Sequence, residues 1–186
     1  VTLRADALRN RERLLDVARQ ELAGGNVALQ LNDIARKAGV GVGTVYRHFP
    51  TPQALLEALV GEQLNQLVEI ARQALAMADI QAAFTFMLRS TFDMLLCTDG
   101  GLSVVMLAIE DADCGTTRAK DELGVLTAEL LRRAHEAGVV RRDLTAADVR
   151  NLVCGVEHAV RTWPDGDQNR SARYLDVLIQ GLRQSG

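Results

Sequence analysis

Six residues with DNA-contacting chemistry crowd one short segment: Val42, Gly43, Thr44, Tyr46, Arg47 and His48 in GVGVGTVYRHF. Hydroxyl, imidazole and guanidinium groups donate to phosphate oxygens, and small residues let a helix lie close to base edges. Tyr46 and His48 carry an O–H and an N–H two residues apart, so on a helix they point to different sides. Gly43 allows close backbone approach, and Val42 suits a thymine methyl. Arg47 suits guanine or open solvent equally. Arg36 and Lys37, slightly upstream, suit backbone phosphates or plain solvation. Taken singly, Tyr46 reads as half-buried core and His48 as an ordinary surface histidine. The spacing of the whole set points to DNA.

Such a surface needs a rigid support. Leu31 to Ala38 reads as one helix and Val42 to Phe49 as the next, with a tight turn between them. Ala35 is small enough for the helices to cross closely, and Gly39 permits the positive φ that ends a helix in one residue. Val45 faces back and closes a small core with Ile34 and Phe49. That is a helix-turn-helix, whose second helix is free to enter a major groove.

The run GVGVGTVYRHFPTPQALLEAL resembles the signature of the tetracycline-repressor (TetR) family of bacterial transcription regulators. The resemblance covers Arg11 to Leu59, about a quarter of the chain. Beyond Leu59 it is one of architecture, a long all-helical remainder. It implies phosphate contacts for Thr44, Tyr46 and His48, and base approach for Val42 and Gly43. Two departures stand out. The family usually has a basic residue where this chain has Pro52, which leaves backbone N–H groups near Thr51 and Gln53 for that phosphate. It usually has Ser or Thr at Gln30, a poor N-cap whose amide still reaches a phosphate, and Asn32 is a substitute cap. Both departures imply weaker non-specific affinity.

The apolar periodicity predicts an all-α chain of about nine helices. Leu8, Leu14, Leu15, Ala18 and Leu22 mark a first helix over Ala5 to Ala23, ended by Gly24-Gly25 and preceded by a frayed basic arm. Thr51 and Pro52 start a fourth helix of about 25 residues, ~37 Å long, which ties head to body. Asp79 caps Ile80 to Leu96, and Leu102 to Ile109 is a short apolar helix. An acidic loop from Glu110 to Thr117 leads into a helix from Thr117 or Arg118 to Ala137. A Thr-x-x-Asp box opens Thr145 to Trp163, which Pro164-Asp165-Gly166 stops, and Ser171 to Arg183 is last. The division is a helix-turn-helix head over 1–50, with its motif at 30–49, and a ligand-binding and dimerisation body over 51–186.

Among the 186 residues, 48% are apolar and 4% aromatic, so the core is built of Leu, Val, Ala and Ile. Residues 1 to 49 hold eight Lys and Arg against five acids, and the remainder holds thirteen against nineteen. A basic head on an acidic body suits contact with a polyanion through one end, although so small a difference also arises by chance. Cys97, Cys114 and Cys154 are far apart, which suggests reduced thiols in the cytosol. Cys97 and Cys154 read as small core hydrophobes. No apolar run reaches the ~18 residues of a membrane span.

In the body, the resemblance implies a ligand pocket among the fourth to seventh helices. Its candidate lining is Phe84, Met87, Leu88, Thr91, Met94, Met106, Ile109, Leu126 and Leu130, with Glu110 at the edge; ordinary core packing explains each one equally well. Glu110, Asp111 and Asp113, with Cys114 beside them, read as a solvated loop rather than a metal site, and no metal or cofactor is expected. His135 and His158 have acidic neighbours but no HExxH or nucleophile spacing, so no catalytic set is found. Apolar stripes on the last two long helices suggest a homodimer interface, through Leu152, Gly155, Val156, Ala159 and Val160 on one and Tyr174, Leu175, Leu178 and Leu182 on the other. The resemblance implies the same pairing.

These features predict a sequence-specific transcription regulator, a ligand-responsive repressor. It would act as a homodimer on palindromic double-stranded DNA, be cytoplasmic and nucleoid-associated, and answer to an unidentified small-molecule effector. The rival readings are a small helical enzyme and a helical ligand-binding or protein-interaction module with a vestigial head.

Overall fold

The computed structural model describes residues 2–163 and 169–183, the first three by backbone alone. Among them are nine α-helices and no strand: α1 (Thr2–Ala23), α2 (Leu31–Ala38), α3 (Val42–His48), α4 (Pro52–Ala76), α5 (Ile80–Leu96), α6 (Gly101–Leu107), α7 (Cys114–Glu136), α8 (Ala146–Arg161) and α9 (Arg170–Leu182). The helix already runs at Thr2, where a frayed arm was expected. Leu14, Leu15, Ala18 and Leu22 bury the inner face of α1, but Leu8 stays 58% exposed.

Local signals set most helix ends. Thr51 caps α4 by accepting from the Ala54 N–H at 3.1 Å, and Pro52 takes the first helical position, where no N–H is needed. The Asp79 carboxylate accepts from Gln81 and Ala82. Thr145 and Asp148 form the reciprocal capping box of α8. The start of α7 differs from expectation. It begins at Cys114, inside the expected loop, because the Asp113 carboxylate accepts from the N–H groups of Gly115 and Thr116. The α9 C-terminus is pinned by the Arg141 N–H donating to the Leu182 carbonyl at 3.0 Å. The expected stop at Pro164-Asp165-Gly166 lies outside the described residues.

The body core is aliphatic, with Leu64, Leu67, Leu88, Phe92, Leu95, Leu102 and Leu130 almost fully enclosed. α4 runs through its middle and packs on α1, α5, α6 and α7. At the α5–α6 corner Gly100 has a φ of 84°, which favours glycine, and a Cβ there would lie 2.7 Å from the Arg161 guanidinium, which would have to move aside. Arg161 itself donates to Glu157 at 2.9 Å, and the Ser103 hydroxyl donates to the same carboxylate at 2.8 Å. Glu157 is wholly buried and ties α6 to α8. Cys154 lies in this interior as expected, whereas Cys97 is exposed at the end of α5, past the last inward position. Among the described residues, no single helix is long and apolar enough to cross a membrane.

Candidate nucleic-acid interface and effector cavity

The turn between α2 and α3 is built as its residues require. Gly39 takes a φ of 65°; its N–H donates to the Arg36 carbonyl and the next N–H, of Val40, to the Ala35 carbonyl. This paired cap closes α2 and redirects the chain. Ala35, Val45, Ile34 and Phe49 are all at least 98% buried beneath it, and the Arg11 guanidinium covers the Phe49 ring at 5.4 Å from its centroid.

The opposite face of α3 is left to the outside. Val42 is 50% exposed and Tyr46 47%, large side chains in water on a helix of seven residues. Arg47 is exposed and has no carboxylate partner among the described residues; Thr44 and His48 are half-buried. A Cβ at Gly43 would meet nothing within 4 Å, so internal packing does not demand glycine there. The cations of α2 are already engaged. Arg36 pairs with Asp33 at 2.8 Å, and Lys37 with Glu21 of α1, whose carboxyl it holds below its ordinary range. Both pairs are exposed at the surface, where such contacts exchange readily with other anions. Gln30 is exposed and makes no side-chain cap, and none comes from Asn32.

Glu57, which lines the same cleft as His48 and Phe49, is a residue the sequence reading passed over. It lies on α4, 3% exposed. Its carboxylate accepts from Gln53 Nε2 at 2.8 Å and from the backbone N–H groups of Ala112 and Asp113 at 2.8 and 2.9 Å. It thereby clasps the α6–α7 connection to the first turns of α4. An acid inside the apolar run LLEAL was its one visible sign. Asp111 and Asp113 therefore have protein partners: Lys120 for Asp111, and the α7 N-terminus for Asp113.

A cavity of about 140 Å³ opens among α5, α6, α7 and α8. Met87, Leu88, Thr91 and Met106 line it as expected. Phe84, Met94, Leu126 and Leu130 do not, being spent on packing elsewhere, and Ile109 and Glu110 lie exposed in the connection after α6. The far wall comes from α7 and α8, including Lys120, Thr127, Val149, Arg150 and Val153. A wider cleft of about 520 Å³ separates head from body, between Arg11, His48 and Phe49 on one side and Ala112 to Ala119 on the other.

The apolar stripes of α8 and α9 divide differently from expectation. Leu175, Leu178 and Leu182 are buried in the protomer's own core, because α9 packs that face against α5 and α8. Leu152, Gly155 and Ala159 are exposed on α8, with Val156 and Val160 half-buried. On α9, Tyr174 is half-buried and Val177 is 64% exposed. Neither Gly155 nor Gly181 has an atom within 4 Å of where a Cβ would sit.

A helix-turn-helix with a bare reading face, mounted on an all-helical body that holds an apolar cavity, defines the helical one-component regulators of transcription. The chain belongs to the TetR family. Residues 14–59 match the model of "Bacterial regulatory proteins, tetR family", and residues 79–184 that of the "Transcriptional regulator SbtR-like, C-terminal domain". The fatty acid metabolism regulator protein of Bacillus subtilis (strain 168) is 24% identical over 182 residues, covering 91% of this chain and 93% of the relative. The TetR transcriptional regulator SCO0520 of Streptomyces coelicolor is 27% identical, with a TM-score of 0.53 over 95% of this chain and 99% of the other. The fold is shared with FadR of Bacillus subtilis, solved in complex with stearoyl-CoA, at 22% identity and a TM-score of 0.55 over 92% and 99% of the chains. The chain is thus a DNA-binding transcriptional regulator.

Proposed function

We propose that this regulator is a ligand-responsive repressor that acts in the cytoplasm, on the nucleoid, as a homodimer at a palindromic operator. The observation that carries the reading is the outward face of α3: Val42 and Tyr46 half in water around a Gly43 whose surroundings are empty. Val42 and Gly43 approach bases, while Thr44, Tyr46 and His48 bind phosphates. Arg36, Lys37, Gln30 and the start of α4 at Thr51 flank them, and Arg47 reads a base or a phosphate. The exposed parts of α8 and α9, Leu152, Gly155, Val156, Ala159, Tyr174 and Val177, form the two-fold contact. Its symmetry places two α3 helices about one DNA turn, ~34 Å, or a multiple apart.

The effector occupies the cavity among α5 to α8 and weakens operator binding. By linkage, DNA weakens effector binding by the same factor. The names from Bacillus subtilis, a fatty acid metabolism regulator and FadR solved with stearoyl-CoA, support a lipophilic effector. Selection of random duplexes by the purified protein, followed by sequencing, tests the reading. Recovery of a palindrome bound with steep salt dependence is the expected result. Folded protein that selects no motif, with or without prior stripping of bound ligand, would favour the rival module with a vestigial head.

A further inference from the structure

The cavity among α5 to α8 has one-sided chemistry. Met87, Leu88, Met106, Leu123 and Val153 make its walls apolar, and Thr91 and Thr127 add two hydroxyls. Its charged lining residues are Lys120 and Arg150, and among the described residues no carboxylate lines it. The Lys120 ammonium donates to the Asp111 carboxylate at 2.7 Å and to the Ala108 carbonyl at 2.8 Å. That engages two of its three N–H donors. The pair is largely enclosed, at 15% and 7% side-chain exposure. Arg150 stands on α8 at the solvent edge, with no carboxylate partner among the described residues. Apolar walls beside the exposed Arg150 and the Asp111-paired Lys120 favour a ligand with an apolar body and one acidic group, since a cation at an apolar wall is well satisfied by an anion that also accepts its hydrogen bonds. Size narrows the choice. About 140 Å³ is close to the ~150 Å³ of an engineered apolar cavity that takes benzene.

We infer that the effector presents a carboxylate to Lys120 and Arg150 and places a group of about benzene size in the cavity. This rests on the proposal that the cavity is the effector site. The acid group competes with Asp111 for Lys120. Lys120 holds positions 108 and 111 of the α6–α7 connection, and Glu57 of α4 holds positions 112 and 113 of the same strand of chain. An incoming carboxylate therefore loosens a segment clasped to the start of α4, next to the DNA-reading helix.

Benzoate and benzyl alcohol share a ring and differ in charge, so the pair isolates the claim. Calorimetric titration of the full chain with each, and operator binding by fluorescence anisotropy in the presence of each, are the readouts. Benzoate is expected to bind at least about tenfold more tightly and to weaken operator binding. Arg150→Gln, on the exposed side of α8, is expected to fold normally and to lose most of that preference. Equal binding of the two compounds would overturn the carboxylate while leaving the cavity as the site. Binding of neither, by folded protein that still holds DNA, would overturn the cavity reading and the inference with it. A benzoate preference that survives in Arg150→Gln and in Lys120→Gln would also overturn the inference, by moving the anion elsewhere.

Discussion

Head and body hold their polar groups in opposite ways. In the head they lie near the surface and pair over shorter stretches of chain, Arg36 with Asp33 three positions away and Lys37 with Glu21 sixteen. In the body, two carboxylates are enclosed and reach far along the chain. Glu57 accepts from residues 55 and 56 positions away, and Glu157 from one 54 positions away. A surface that must exchange its partners for phosphates benefits from weak, local, solvated pairs. A body that must transmit an event from cavity to head needs groups that are costly to leave unpaired, because they respond when a neighbour moves.

The contrast predicts separable mutational effects. Gly43→Asp should lower operator affinity by at least about a hundredfold, since it sets a carboxylate against phosphates, yet leave the thermal midpoint unchanged. A matching loss of stability would show that the head depends on Gly43 internally, and the contrast would fail. Within the body, burial pushes the Cys154 thiol up to about 11. Its thiolate is therefore scarce at neutral pH, and alkylation should run more than about a hundredfold slower than at exposed Cys97 and Cys114. Raising the pH should speed the exposed pair first; mass spectrometry of a time course decides. Comparable rates would mean that the interior opens often.

Glu57→Ala should cost about 2–4 kcal/mol in denaturant unfolding, because two backbone N–H groups lose their acceptor. Thr145→Ala, which removes one half of the α8 capping box, should cost about 1 kcal/mol. The smallest effect on stability belongs to the head. Arg36→Ala should stay within about 0.5 kcal/mol, yet reduce the salt slope of DNA binding by about one unit. A large loss of stability there would place Arg36 among the structural residues.

What could be read from the sequence follows the same division. The α2–α3 turn, the Thr51 and Thr145 caps and the inward set Ile34, Val45 and Phe49 depend on residues a turn or two apart, and local spacing displays them. The stripe on α9 shows that Leu175, Leu178 and Leu182 share a face, but periodicity does not tell whether that face meets its own core or a partner. Most of the cavity lining was missed because it arrives from α7 and α8, as Thr127, Arg150 and Val153 do, far along the chain from Met87 and Met106. Asp113 went unread as a cap because it sits in a run of acids with no acidic partner three residues on. Glu57 shows nothing of its role until residues 112 and 113 are folded against it.

The length of α4 has a geometric consequence. Its 25 residues span about 37 Å from Thr51 to the far side of the body. If the Ala76 end stays fixed, a tilt of only about 5° carries the head end through roughly 3 Å, close to the ~3.4 Å rise of one base pair. In a two-fold pair both heads swing, so their separation changes by roughly 6 Å, nearly a fifth of the ~34 Å between successive grooves on one side of the duplex. An angular change too small to disturb the packing of the body is enough to put one reading helix out of register while the other stays seated.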